Sequence, residues 1–154
     1  MRRSKVELNE FLPYLVNRVG SALVVRFTDD QLAAHGLSIA MWRVLAALSS
    51  NGPQRQIDLA QLTSTDASTL SRLVTRLVRM GLVSRSRSRN SNREVDVALS
   101  PRGRALVDRL IPAALRLEQD LSRGLSGRDV AAVKRALRRM HANLGQPSRR
   151  ARRA

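Results

Sequence analysis

The chain has 154 residues, enough for one domain with a core, and its 28 Lys and Arg against 12 Asp and Glu give a formal net charge of +16. This excess favours a polyanionic partner, most often nucleic acid, although a highly charged soluble surface would have the same composition. The absence of cysteine excludes disulfides, thiolate metal sites and thiol redox switches, and no apolar run is long enough to span a membrane. The basic segment from Met1 to Lys5 is not followed by a clean apolar stretch, so we expect no signal peptide and a cytoplasmic, nucleoid-associated protein.

The first predicted element is one long helix over residues 7–34. Its apolar residues recur at steps of mostly three and four: Leu8, Phe11, Leu12, Leu15, Val16, Val19, Leu23, Phe27 and Leu32. Pro13 is expected to kink this helix near its start, and Gly20 is expected to weaken it. A helix with such a broad apolar stripe needs a partner.

The next predicted elements form a helix-turn-helix. Ser38 is placed to cap a helix over residues 39–49, and the sequence Asn51-Gly52-Pro53 predicts a turn. A short helix over residues 56–62 is followed by a tight polar connection. A longer helix then begins at the cap residue Asp66 and stops at Gly81. A short helix, a tight turn and a longer helix are typical of this unit.

A basic β-hairpin is predicted directly after this helix. Residues 82–85 start one strand, residues 94–99 form a second, alternating strand, and the arginine-rich loop between them contains no apolar residue. The predicted fold class is therefore mostly α with a small β-hairpin wing. A winged helix-turn-helix can place its helix in a major groove and its wing in a flanking minor groove, which indicates binding to duplex DNA.

Two further helices are predicted after the wing. Ser100-Pro101 begins a helix to about Leu121 that Pro112 should bend, and a capping box from Ser126 to Asp129 begins a last helix through Leu144. We expect residues 5–35 and 104–145 to form a helical dimerisation region and residues 36–103 to form the DNA-binding domain. Residues 146–154 are expected to be a basic, disordered tail.

The helix that begins at Asp66 has the composition of a recognition helix. Its apolar residues share one face and should belong to the core: Leu70, Leu73, Val74 and Leu77. The opposite face carries small hydroxyl groups and then arginines, which can approach base edges and phosphates: Ser68, Thr69, Ser71, Arg72, Thr75 and Arg76. An ordinary solvated face is the alternative, but no acidic residue lies between Ala67 and Ser84.

The wing supplies a second set of candidate DNA contacts. Its arginines are interspersed with Ser and Asn: Arg85, Arg87, Arg89 and Arg93. Arginine inserted into a narrow minor groove raises DNA affinity and recognises the shape of the groove. The alternative is that these arginines are only the solvated side chains of a hairpin tip.

The chain resembles the MarR family of bacterial transcriptional regulators. The resemblance rests on Leu59-Ala60-Gln61-Leu62-Thr63, on residues 66–82 with their Ser-Thr-Leu-Ser-Arg-Leu-Val core, and on Leu99-Ser100-Pro101-Arg102-Gly103. Residues 36–38 and 41–45 also look like the family's entry into its second helix. In order and spacing these motifs cover about Leu8 to Leu144.

The resemblance implies a homodimer whose first and last two helices intertwine and whose two wings bind a pseudo-palindromic operator. It also implies loss of DNA affinity, in many members, when a small and often aromatic, anionic molecule binds between the dimerisation and DNA-binding regions. Arg93 matches the family's wing arginine. The chain departs from the pattern at Ser91, where the family usually has an aspartate.

A ligand pocket is predicted where the long first helix should meet the second. The polar and aromatic residues near that point are Tyr14, Arg18, His35, Trp42 and Arg43. Arg18 could pair a ligand carboxylate, but it could equally snorkel or form an intersubunit ion pair. Trp42 could belong to the core, and His35 could lie at a helix C-terminus. The two isolated histidines, His35 and His141, do not make a metal site, and we expect no cofactor.

Three functions are compared. The first is a ligand-responsive dimeric repressor, and the second is an architectural or effector-independent DNA-binding protein of the same fold. The third, an enzyme, is disfavoured because the chain lacks cysteine, a glycine-rich phosphate loop and any His-carboxylate motif.

Overall fold

The first helical segment is divided into four pieces rather than forming one helix. The computed structural model describes residues 5–87 and 94–145. A 3-10 turn, Leu8–Glu10, precedes helix α1, Leu12–Phe27, which continues into a π-helical turn, Thr28–Leu32, and a 3-10 turn, Ala33–His35. Pro13 lies in the first turn of α1, and the expected interruption near the start of the segment takes the form of an extended residue, Phe11, before α1 begins. The segment ends at Gly36, which has a φ of 66°.

The helix-turn-helix prediction is confirmed closely. Helix α2 is Ile39–Asn51, and the Ser38 hydroxyl accepts a hydrogen bond from the Met41 N–H at 3.2 Å. Helix α3 is Gln56–Leu62 and helix α4 is Ala67–Arg79. Between them, Thr63 donates from Oγ1 to the Leu59 carbonyl at 2.8 Å, which closes the tight connection on itself.

The sheet has one more strand than the sequence indicated. Strand β1, Gln54–Arg55, precedes α3, and the hairpin consists of β2, Val83–Arg87, and β3, Val95–Leu99. The order is β1-β3-β2 with antiparallel pairing, and β3 pairs both Val83 opposite Leu99 and Gln54 opposite Val97. The two-residue β1 is too short and too polar for a period-2 pattern, so only its partner strand defines it.

One hydrophobic core joins these elements. The largest fully buried side chains come from the π-helical turn and from α2, α3, α4, β3 and α5: Leu32, Met41, Val44, Leu45, Leu48, Leu59, Leu70, Val74, Leu77, Val97 and Val107. Leu73, which was predicted to be core, is partly buried against this cluster. The buried face of α4 therefore faces the core and leaves its polar face available.

The last two helices follow the sequence prediction in outline. Helix α5, Pro101–Leu121, continues through Pro112, and helix α6 is Gly127–Gly145. The capping box before α6 is confirmed, because the Ser126 hydroxyl donates to the Asp129 carboxylate at 2.6 Å and accepts from the Asp129 N–H at 3.2 Å.

The chain divides into two compact units, Met1–Leu117 and Glu118–Ala154, with the division inside α5. Within the second unit, Lys134 of α6 donates to the Glu118 carboxylate. The tail predicted for residues 146–154 lies outside the described residues. Among the described helices none is long and apolar enough to cross a membrane by itself; the segment Leu12–His35 and α2, bent by 79°, meet that test only as a pair.

Candidate DNA-binding surface

The N-terminus of α4 is capped by the charged side chain of Asp66. The Asp66 carboxylate accepts hydrogen bonds from the Thr69 N–H at 2.9 Å and from the Ser68 hydroxyl at 2.9 Å. Hydrogen bonds from Thr69 and then from Ser68 hold the pKa of Asp66 well below its usual range. The carboxylate is therefore ionised throughout the neutral pH range and fixes the first turn of α4.

The face of α4 opposite the core carries the predicted recognition residues. Its exposed members are Ser68, Arg72 and Arg76, and its half-buried members are Thr69, Ser71 and Thr75. Arg72 lies back along the helix and donates from Nη2 to the Thr69 hydroxyl at 3.2 Å. To reach a guanine edge, Arg72 must therefore exchange this exposed bond for a base contact.

Arg85 connects the wing to the recognition helix in a way the sequence did not indicate. From β2, its Nη2 donates to the Ser71 carbonyl at 3.1 Å and lies 3.3 Å from the Thr75 hydroxyl, which itself donates to the Ser71 carbonyl at 2.9 Å. Arg87 is exposed at the end of β2. The other two predicted wing arginines, Arg89 and Arg93, and the departing Ser91 lie outside the described residues.

A second ionic contact lies at the base of the wing, and sequence reasoning missed it. Arg55 in β1 donates from Nε and Nη2 to the two Asp58 oxygens at 2.6 and 2.9 Å, and from Nη1 to Glu94 Oε1 at 3.0 Å. Hydrogen bonds and charge from Asp58, and then from Glu94, raise the pKa of Arg55. We call Arg55, Asp58 and Glu94 the wing-base clamp. The three-residue spacing of Arg55 and Asp58 could have indicated that pair, but nothing local connects either to Glu94.

The C-terminus of α4 is fastened to the start of α5 at a very close approach. The Ser100 N–H donates to the Leu82 carbonyl at 3.0 Å, and the Ser100 hydroxyl donates to the Gly81 carbonyl at 2.6 Å and accepts from the Gly103 N–H at 2.9 Å. A Cβ added to Gly103 would lie 1.9 Å from the Leu82 oxygen, so only glycine fits there. We call these contacts the α4–α5 junction.

Comparison with known proteins matches this arrangement. The MarR family model matches residues 37–95, which include α2, α3, α4 and the first strand of the wing. A MarR-family regulator from Silicibacter pomeroyi is similar over 95% of this chain and 99% of its own, with 30% identity and a TM-score of 0.81. The chain belongs to the MarR family. It is therefore a DNA-binding transcriptional regulator and not an enzyme, and proteins of this family act as dimers.

Two other proteins similar to this MarR-family chain have a named function, one as a repressor and one as a ligand-regulated DNA-binding protein. The transcriptional repressor NicR of Pseudomonas putida is 33% identical over 96 residues, and the alignment spans 62% of this chain and 61% of NicR. BpsR of Bordetella bronchiseptica, whose DNA binding is regulated by 6-hydroxynicotinic acid, is 28% identical with a TM-score of 0.81, over 90% of this chain and 98% of its own.

The predicted ligand residues of this MarR-family chain do not converge on one cavity. His35 lies beside the α4–α5 junction in a cavity of about 380 Å³, which we call the junction cleft. Its lining residues are Ala34, His35, Met80, Leu82, Arg102, Ala105, Leu106 and Arg109. Trp42 and Arg43 line a separate, shallower cavity of about 440 Å³. Tyr14 is half-buried and Arg18 is exposed on α1, and neither lines these two cavities.

The local environments of Trp42 and His35 agree with the alternatives given above, a core residue for Trp42 and a helix C-terminal residue for His35. The Trp42 ring packs edge-on against Phe27, with ring centroids 5.4 Å apart, which makes it partly a core residue. His35 occupies the last position of its 3-10 turn, directly before the left-handed Gly36. The described residues contain no group of three or more His, Asp or Glu side chains arranged to hold a metal ion.

Proposed function

We propose that this protein is a homodimeric repressor that binds a pseudo-palindromic operator and leaves it when a small aromatic anion binds. The observation that carries the proposal is the exposed, acid-free face of α4, fixed at its tip by Asp66 and flanked by a basic wing strand. Such a repressor acts on chromosomal DNA, so we place it in the cytoplasm on the nucleoid.

Exposed apolar side chains support the dimer. Leu12, Leu15, Val16 and Val19 of α1 are each 36–49% exposed, and α6 exposes Val133 and Leu137 on its apolar face. A continuous apolar stripe on a helix surface is costly in water. We propose that residues 5–35 and 104–145 bury these stripes against the second copy. The two recognition helices would then lie roughly 34 Å apart, one turn of DNA.

We assign each candidate residue to base edges or to phosphates according to its position along α4 and the wing. We assign the short hydroxyl side chains of Ser68, Thr69 and Ser71 to base edges, and Arg72 to a guanine. Thr75 and Arg76, further from the tip, are assigned to phosphates. In the wing, Arg87 and the sequence-predicted Arg89 and Arg93 are assigned to the minor groove and its phosphates, and Arg85 reaches a phosphate with the nitrogens that do not hold α4.

The junction cleft is the site that we favour for the ligand. No hydrogen bond or ion pair among the described residues occupies the side chains of His35, Arg102 or Arg109, while Met80, Leu82 and Leu106 give the cleft apolar walls. A guanidinium beside an apolar wall suits a flat ring with a carboxylate. The regulation of BpsR by 6-hydroxynicotinic acid makes that compound the first to test. The Trp42–Arg43 cavity is the second choice, and Tyr14 and Arg18 would contribute if α1 of the partner covers either cavity.

The test begins with the unmodified protein. Selection of random duplexes should enrich a two-fold symmetric site, and light scattering at micromolar concentration should give the mass of a dimer. A stable monomer, or enrichment of no sequence, would overturn the operator proposal. Adding 6-hydroxynicotinate or benzoate should then weaken operator binding and raise the melting temperature at fixed protein concentration.

Variants on α5 locate the ligand. Arg102→Ala and Arg109→Ala should abolish the response to 6-hydroxynicotinate or benzoate while operator binding persists. Arg104→Ala is the matched control, because Arg104 is exposed on the same helix and does not line the cleft. A response abolished only by substituting Trp42 or Arg43 would move the site to the second cavity. No response to any aromatic acid would favour an effector-independent DNA-binding protein.

A further inference from the structure

The wing-base clamp connects β1 and the adjoining start of α3 with Glu94, which lies 39 positions after Arg55. Arg55 belongs to β1, Asp58 to the first turn of α3, and Glu94 directly precedes β3, on the far side of the loop that begins after Arg87. The guanidinium pairs with Asp58 through two parallel hydrogen bonds and with Glu94 through a third, so three of its donors are engaged. A bidentate guanidinium–carboxylate pair is directional as well as attractive, because its planar fork fixes the orientation of both partners.

The position of Glu94 is unexpected on electrostatic grounds. The residues between Arg87 and Glu94 in the sequence include Arg89 and Arg93, which we assigned to DNA. A carboxylate at that place repels phosphate and lowers DNA affinity unless it does something else. Its side chain is 35% exposed and bonded to an arginine of another element, which gives it a structural task.

We propose that the wing-base clamp sets the angle at which the wing is presented to the minor groove, with Arg55 and Glu94 as positioning residues. α3 is the first helix of the helix-turn-helix and contacts α4, so Arg55 links the root of the wing to the frame that also holds the recognition helix. Arg85 holds the other strand of the hairpin to α4 through the Ser71 carbonyl. The hairpin is thereby held on both sides, through Arg85 in β2 and through Glu94 directly before β3, which sets the position of β2 and β3 relative to α3 and α4.

The proposal rests on the proposed operator binding. It predicts that neutralising Glu94 changes DNA affinity in the direction opposite to the one that charge alone predicts. Glu94→Gln removes a negative charge near DNA, which by charge alone would tighten binding and steepen its salt dependence. Loss of the Arg55–Glu94 bond instead weakens binding, roughly fivefold or more for a dimer with two wings, because this single charge-assisted bond links the wing to the bidentate Arg55–Asp58 pair. Arg55→Lys keeps the charge, loses the fork and is expected to act in the same direction.

Asp96→Asn is the matched control. Asp96 lies on β3 two residues from Glu94 and opposite Arg55 in the β1–β3 pairing, but no hydrogen bond or ion pair of its side chain is present among the described residues. Its neutralisation should leave operator binding equal or slightly tighter, as charge alone predicts. Urea unfolding of each variant checks that the fold is retained.

Footprinting separates a positioning role from general destabilisation. With Glu94→Gln and Arg55→Lys, hydroxyl-radical protection of the minor groove should disappear while dimethyl sulfate protection of major-groove guanines stays. The salt slope should fall by about one for each phosphate that the wing no longer reaches. Operator binding of Glu94→Gln as tight as that of Asp96→Asn, with an intact minor-groove footprint, would overturn the clamp. Failure of the unmodified protein to bind any operator would instead overturn the proposed function.

Discussion

The α4–α5 junction gives the sharpest test of the packing. An alanine at position 103 would place a Cβ 1.9 Å from the Leu82 oxygen and 2.9 Å from the Leu82 carbonyl carbon. Ordinary contact begins near 3.4 Å, so the two segments must separate by about 1.5 Å. The Leu82 carbonyl cannot simply rotate away, because it accepts the Ser100 N–H at 3.0 Å, and Leu82 is itself buried.

The expected cost follows from those contacts. Overpacking a rigid site costs about 1–3 kcal/mol or more, and a carbonyl that loses its buried partner adds about 1–3 kcal/mol. Alanine recovers up to about 1 kcal/mol of helix propensity. We therefore expect Gly103→Ala to lower the free energy of unfolding by about 1–6 kcal/mol, compared with roughly 5–15 kcal/mol for a typical domain.

Urea unfolding at a fixed protein concentration measures this difference. Gly20→Ala is the matched control, because Gly20 lies inside α1 and a Cβ there meets nothing within 4 Å in this chain. Within the single chain it should gain up to about 1 kcal/mol from helix propensity, so a loss of stability at Gly20 would report contact of α1 with the second copy. If both alanine variants were as stable as the parent or more so, the close approach at Gly103 would not be a constraint and the reasoning would be refuted.

Three further predictions concern DNA and pH. Arg72→Ala should cost about 1–3 kcal/mol per half-site and relax base preference in competition assays, whereas equal weakening on all sequences would reassign Arg72 to a phosphate. Arg93→Ala should reduce affinity and lower the salt slope by about one for each phosphate that Arg93 neutralises, and an unchanged slope in a folded variant would remove Arg93 from the minor groove. Since the folded pKa of Asp66 is depressed, its cap stabilises the protein fully above the unfolded pKa of about 3.9 and loses that contribution as the pH falls towards the folded pKa. The stability gap between the parent and Asp66→Ala should therefore be constant from pH 5 to 7 and shrink below about pH 4 in urea melts, and a gap that widens in acid would contradict it.

Local interactions explain why much of the fold could be read from the sequence. The caps at Ser38, Asp66 and Ser126 join groups three residues apart, and each hydrogen bond is present as expected. The bounds of α3 and the apolar face of α4 follow from helical periodicity, since a helix bonds residues four apart. Pro13 lies in the first turn of α1, and the predicted single helix is interrupted just before it, at Phe11, because a proline is best placed at a helix start.

Tertiary packing decided the features that join distant segments. Arg55 and Glu94 are 39 residues apart, Arg85 and Ser71 are 14 apart, and neither pair follows a helical or strand period. Residues 54–55 form strand β1 because they pair with β3, a segment about 40 residues later in the sequence. His35, Arg102 and Arg109 line the junction cleft, while Trp42, only seven positions beyond His35 in the sequence, lines another cavity.

The sequence by itself therefore determined where the candidate recognition helix begins and ends and which of its faces is polar, because these depend on hydrogen bonds and apolar spacing within a few residues. Only the tertiary structure decided how the wing is fastened and why position 103 is glycine. It also decided which arginines share a cleft, because each of these depends on the distance between segments that packing alone brings together.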